Sequence, residues 1–308
     1  MSPADDAVTI RPYTPSDAET IAALTNREPF HLLNGITGAA FDRMLDEPGE
    51  RIREHTYVAE FGRAAVGYCC LCFVEREDHL AVFCYGAVDP AWRRRGVGSA
   101  LFRFLFALLE ETASRENKPI RFLHRAVSRI PGEAELAAAF GMQEQNRLEV
   151  LCLPDLSGLS FPDPPGGLGF RSPALSDAAE WAALYNDAFG GGKTAKSVAH
   201  EFQGEGFSPD RYLFCTDTAG TAVGLLCATR KGRHARIPTL AVRTDWQRRG
   251  VGTALLAEIL KRLKEAGMAD VRLSVDSRNQ AAKTLYRRFG FRPDYERIHY
   301  AAEFGGAF

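Results

Sequence analysis

A chain of 308 residues is too long for one small domain and long enough for two, each with its own core. Its 45% apolar and 25% charged residues, with a net charge of -1, exclude a disordered or lipid-embedded chain and supply no basic excess for a polyanion, so nucleic acid is not an expected partner. Seven cysteines, an odd count with several in strand-like apolar runs, and seven scattered histidines give neither a disulfide framework nor a metal site, and no metal is expected.

The acidic start, Met1 to Val8, lacks the basic-then-apolar pattern of a targeting peptide, which makes the expected location cytoplasmic. Ile10 to Ala18 reads as a short strand and a turn, running into a helix with Ala22-Ala23-Leu24 that Ser or Asp would cap. Tyr57 to Glu60 and Ala65 to Gly67 carry a β-hairpin pattern, and Cys69, Cys70, Cys72 and Cys84 fall in strand-like apolar runs. Ala87 and Val88 end a strand before Trp92-Arg93-Arg94-Arg95-Gly96-Val97-Gly98-Ser99-Ala100-Leu101. The apolar run Leu101 to Leu109 is too short to span a bilayer and is interrupted by Arg103, so it reads as a core helix, with no membrane partner expected.

Residues 154–169, rich in proline and glycine, break helix and strand alike and mark a linker between a first domain at 1–153 and a second at 170–308. The second half then repeats the first. Phe170 to Ala178 matches Ile10 to Ala18, Tyr212 to Cys215 with Ala222-Val223-Gly224 matches the hairpin, and Trp246-Gln247-Arg248-Arg249-Gly250-Val251-Gly252-Thr253-Ala254-Leu255 matches the basic glycine segment without a gap. Three matches in one order imply duplication. Each half therefore reads as an α+β domain with a mixed sheet.

In the second half the strand Ile237 to Val242 precedes the loop, and Leu255, Leu256, Ile259, Leu260 and Leu263 form the apolar face of the helix that follows. Gly250 and Gly252 permit close backbone approach, and the free amides of a helix start attract phosphate oxygens. A tight strand-to-helix turn would use the same residues. The duplication with the same flanking order of residue types favours the anion cradle, while the absence of a third glycine or a Gly-Lys-Ser/Thr segment argues against dinucleotide and P-loop motifs.

These segments resemble the pyrophosphate-binding signature of the GNAT N-acetyltransferase superfamily, Gln/Arg-x-x-Gly-x-Gly/Ala, which Arg93 to Gly98 and Gln247 to Gly252 both fit. The resemblance implies two tandem GNAT-like domains, each a twisted, mostly antiparallel mixed sheet flanked by helices. It implies that Arg94, Arg95, Gly96, Val97, Gly98 and Ser99, and Arg248, Arg249, Gly250, Val251, Gly252 and Thr253, hold acetyl-CoA through their amides. It also implies that Ala87 and Val88, and Leu240, Ala241 and Val242, pair with the pantetheine arm.

After the strand Val271 to Val275 come Asn279, a helix from Gln280 to Phe289, and Gly290. From spacing, Asn279 and Gly290 could be caps and Tyr286 part of an apolar stripe. In the family, N-x(6)-Y-x(3)-G-F puts the Asn near the thioester and the Tyr hydroxyl near the coenzyme sulfur, and Asn279, Tyr286, Gly290 and Phe291 match it. A phenol there can protonate the leaving thiolate. In the first half the same positions hold Ile130 and Ala137, and Arg129-Ile130-Pro131-Gly132 would not start a helix in the same way. The first domain is thus expected to bind coenzyme without reacting, and the second to be catalytic through Tyr286.

The expected reaction is direct acetyl transfer to a primary amine of a small molecule, by a monomer or homodimer. No acid stands on the strand before the second loop, which offers His234 and Arg236; Glu205, Asp210 and Glu303 are candidate bases. The tandem arrangement also resembles that of mycothiol synthases. A non-catalytic acyl-CoA sensor and an acetyltransferase for protein N-termini or lysines are the alternatives.

Overall fold

The computed structural model describes residues 7–31, 33–46, 51–204 and 207–306. They form two compact units, Met1–Arg147 with Tyr295–Phe308, and Leu148–Asp294.

In the first unit β1 (Val8–Pro12), β2 (Thr56–Phe61), β3 (Ala64–Glu75) and β4 (Leu80–Val88) pair antiparallel in chain order. Next, β5 (Ile120–Val127) runs parallel to β4, and β12 (Arg292–Phe304) lies antiparallel to β5. One face carries α3 (Val97–Glu116) and α4 (Glu133–Ala139) over Leu71, Val82, Phe122 and Ile298. The other carries α1 (Ala18–Asn26) and α2 (Gly38–Met44) over Val58, Tyr68, Cys70 and Cys72. This two-sided burial explains why β2 and β3 are apolar on both faces, with Val58, Ala59, Tyr68, Cys69, Cys70 and Leu71 all buried.

The second unit repeats the plan. β7 (Gly169–Arg171), β8 (Tyr212–Thr216), β9 (Ala222–Lys231) and β10 (His234–Val242) pair antiparallel, and β11 (Asp270–Asp276) is parallel to β10. The end of β6 (Gln143–Leu153) closes the sheet against β11. Helices α7 (Val251–Glu265) and α8 (Gln280–Arg288) cover one face, while α5 (Ala178–Phe189) and α6 (Ala195–Gln203) cover the other. Duplication extends to the entry turns, where Asp17 and Asp177 each accept from the backbone N–H three residues upstream, 2.8 and 2.7 Å, and pair with Arg11 and Arg171.

The units divide the chain differently from the sequential boundaries at 153 and 170. β12 follows the second-half helices in sequence yet pairs with β5, and Leu148–Leu153 precedes the linker yet pairs with β11. Strand alternation fixes which side chains face a core but not which edge a terminal strand joins.

In the second unit Lys283 on α8 is 8% exposed and ion-paired with Glu149 on β6, while its Nζ also donates to the Ser277 carbonyl at 3.2 Å. Removing the ammonium strands a largely desolvated carboxylate. Lys283→Ala is therefore expected to destabilise this unit by about 3 kcal/mol, read by urea unfolding, with Glu149→Gln/Lys283→Met recovering much of it. Equal stabilities of Lys283→Ala and the native chain would remove the pair from the core account.

Candidate functional site

In each unit the parallel strands pair for only part of their length. Leu80–Phe83 pairs with Ile120–Leu123, and His234–Ile237 with Asp270–Leu273, after which the partners separate. The remaining parts of β4 and β10 keep their antiparallel neighbours, Ala87 opposite Tyr68, Val88 opposite Gly67, and Leu240, Ala241 and Val242 opposite Leu226, Leu225 and Gly224. An antiparallel neighbour uses alternate amides and carbonyls, so the rest of each segment faces an open cleft. A bulge between Arg236 and Thr239, at Pro238, helps turn β10 away from β11.

The glycine loops follow directly and share one backbone conformation. Arg94 and Arg248 both have φ +61°, Gly96 has +85° and Gly250 +84°. Left-handed backbone at an arginine is costly, and its recurrence in both copies turns successive loop amides toward one point. Gly96 and Gly250 begin α3 and α7 without a side-chain cap, leaving first-turn amides for another acceptor. Arg95 lies over Trp92 at 5.2 Å and Arg249 over Trp246 at 5.1 Å, which fixes those arginines beside the loop. Arg93 Nε and Gln247 Nε2 donate to Val88 and Val242 carbonyls at 3.3 and 3.5 Å. Each loop thus sets first-turn amides beside an open strand edge.

Around the second loop, a Cβ at Gly252 would stand 3.4 Å from Leu285 Cδ2 and 3.7 Å from both Leu240 and Val242 side chains. The strand end, loop and α8 are therefore brought together, with Tyr286 beside Leu285. Tyr286 is 7% exposed, packs edge-on to Phe291 at 5.9 Å, and is pushed up to about 12 by burial, so its phenol keeps its proton at neutral pH. The Asn279 Oδ1 accepts from Ala282 N at 3.0 Å, so this side chain is the α8 cap. A Cβ at Gly250 would meet Pro165 Cγ at 2.9 Å, which places the proline-rich segment against this loop.

The first unit differs at the equivalent helix. α4 starts only at Glu133, after Gly132 at φ +93°, and Ala137 is wholly buried. Here a cavity of about 750 Å3 runs from Gly96, Gly98 and Ser99 through the separated strands to His31 and Arg125. Glu133 caps the end of β5 by accepting from Val127 N at 2.7 Å, and burial, opposed by that N–H, raises its carboxyl to about 7. His31 Nδ1 accepts from Leu33 N at 3.1 Å, so Nε2–H donates to the Gly86 carbonyl at 3.0 Å, and burial lowers the ring to about 4.

The candidate bases fare unevenly. Glu205 lies outside the described residues. Glu303 belongs to β12 in the first unit, 3.9 Å from Arg121, and is not in the same unit as Tyr286. Asp210 is exposed beside Ser208, and its carbonyl accepts from Arg262, about 18 Å along α7 from the loop. His234 pairs with Asp270 at 2.6 Å, about 20 Å down β10 from Leu240. Not foreseen was Glu201 on α6, which accepts from Tyr212 at 3.1 Å and pairs with Lys193. It bears electrostatically on Cys227, the register partner of Thr239 on β10, and so stands on the α5–α6 face of the cleft. No motif spacing marks it.

The acetyltransferase (GNAT) family profile matches residues 178–291, and an acetyltransferase (GNAT) domain profile matches 53–134. Among curated proteins, the mycothiol acetyltransferase of Clavibacter michiganensis is 35% identical over 67% of this chain and 67% of its own. That of Streptomyces coelicolor is 29% identical over 92% and 94%. Among solved structures, a GCN5-related N-acetyltransferase from Sphaerobacter thermophilus superposes with TM-score 0.71 at 22% identity, covering 96% of this chain and 95% of the other. A tandem GNAT protein from the clavulanic acid biosynthesis pathway also gives 0.71, at 18% identity, covering 98% and 100%.

Proposed function

The chain belongs to the GNAT acetyltransferase family, as a tandem N-acetyltransferase, and from that premise we propose that its second domain moves an acetyl group from acetyl-CoA to the primary amine of a small molecule. The observation that carries the assignment to the second domain is Tyr286, a protonated phenol on the helix that packs against Gly252 and the open end of β10, where the first domain has Ala137. The relatives named as mycothiol acetyltransferases favour an amine on a small thiol as acceptor.

In this reading the loop amides of Arg248 to Thr253 take the pyrophosphate, and the open amides among Leu240, Ala241 and Val242 hold the pantetheine and the carbonyl oxygen as charge develops on it. The acceptor amine forms a C–N bond as the C–S bond breaks. Tyr286 gives its proton to the departing thiolate, and Glu201 takes the proton lost by the nitrogen. Asn279 supports the site through the α8 cap, which holds the Tyr286 helix at the cleft. The first-domain cradle, from Arg93 to Ser99 with Ala87 and Val88, binds coenzyme without transferring from it.

Release of free coenzyme A thiol from acetyl-CoA with a panel of small amines tests the activity; no release with any aminothiol would overturn the acceptor class. Glu201→Gln is expected to lower kcat about tenfold, since Glu201 is partly solvated and water can share its role, with coenzyme affinity unchanged. A native kcat in that variant would remove Glu201 from the proton path.

A further inference from the structure

One cation in the first-domain cavity makes no direct ion pair among the described residues. Alternation along β5 turns Ile120, Phe122 and Ala126 to the core under α3 and α4, and so turns Arg125 to the face of α1 and α2. There Arg125 lies directly across from His299 on β12, on the same face as Tyr85 of β4. Its guanidinium makes no hydrogen bond or ion pair among the described residues, although it lines the cavity.

The acids nearby are already committed. Glu28 is 4% exposed and bonded to Arg93 at 2.5 Å. Glu133 accepts from the Val127 amide, is raised to about 7 by burial and acts on Arg125 without bonding it, and Glu135 belongs to α4 on the opposite face. His31 is neutral with both ring nitrogens engaged, so it adds no charge. Burial lowers the pKa of Arg125 and the Arg297 charge lowers it further, outweighing the opposing pull of Tyr85, Glu133 and Tyr295, the direction expected of a cation without a bonded anion. His299 Nε2 is likewise buried with no hydrogen-bond partner among the described residues. A folded chain that retains an unpaired, largely desolvated guanidinium sacrifices stability there, and a ligand that supplies the anion recovers it.

We propose that the α1–α2 side of the first-domain cavity is a binding site for a small organic carboxylate, anchored by the fork of Arg125 with His299 beside it. The site is separate from the acetyl transfer assigned to the second domain and does not depend on it. It gives the first domain a ligand of its own, reached from the face opposite the helices that flank the glycine loop.

The test uses the full-length protein in calorimetry with succinate, glutamate and inorganic phosphate, each with and without saturating coenzyme A. At least one carboxylate is expected to bind with unit stoichiometry, to persist beside coenzyme A, and to weaken at least tenfold in Arg125→Gln, with Arg125→Lys intermediate. Arg125→Met, lacking the unpaired charge, should melt above the native protein when empty and gain nothing from the carboxylate. Binding of phosphate alone would overturn the carboxylate class. Displacement by coenzyme A would move the anion to the glycine loop and overturn the location. No binding by either carboxylate, or native affinity in Arg125→Gln, would overturn the proposal outright.

Discussion

Tyr286→Phe is expected to lower kcat by at least about 100-fold while leaving coenzyme affinity within twofold of native, measured by thiol release and calorimetry. The substitution keeps the ring, its contact with Phe291 and the α8 packing, and removes only the hydroxyl. A thiolate leaving without a proton donor is what slows. Because burial pushes this phenol up to about 12, it stays in its acid form across the working range, and the alkaline side of the pH profile should not fall on its account until close to that value. In the Tyr286→Phe variant the remaining rate should become sensitive to solvent proton donors. Ala137→Gly in the first domain should leave kcat unchanged, and comparable losses in both variants would contradict a division of labour between the domains.

Gly252→Glu should abolish coenzyme binding at the second loop, with affinity falling about 100-fold or more, because a carboxylate beside a diphosphate costs several kcal/mol. Backbone strain is not the reason, since Gly252 does not adopt a positive φ. Its Cβ would meet Leu285, Leu240 and Val242 at ordinary contact distances of 3.4 to 3.7 Å, so Gly252→Ala should bind only a few-fold more weakly. Charge, not volume, separates the two. Calorimetry should retain one class of coenzyme site in Gly252→Glu, that of the first domain. Gly250 is the different case: at φ +84°, with Pro165 2.9 Å from its would-be Cβ, any side chain there is both strained and crowded.

Much of this arrangement is legible in the sequence because duplication writes it twice. The glycine segments, the helix each opens, and the helix from Gln280 follow from local residue pattern and stand where the pattern puts them. Even the late start of α4 is foreshadowed by Ile130-Pro131-Gly132 in place of an N-cap. What the pattern lacks is partner choice: nothing local to Arg292–Phe304 specifies β5 as its neighbour, because pairing edges is a property of the assembled sheet. Charge balance in the cavities is hidden for the same reason. Arg125 reads as an ordinary strand arginine until β4 and β5 separate around it, and Glu201 as a helix-surface acid until α6 is laid over β9 and β10. Asn279 shows the converse, a residue whose capping geometry is visible at once while any further role waits on the ligand.

Pro165 packs beside Gly250, so the proline-rich segment borders the loop proposed to take the diphosphate. The most direct measurement is a crystal structure of the full chain with coenzyme A. The expected result is a diphosphate on the amides following Arg248 and a coenzyme sulfur within hydrogen-bonding reach, about 3.5 Å, of the Tyr286 hydroxyl. Coenzyme held only in the first domain at saturating ligand would contradict catalysis in the second.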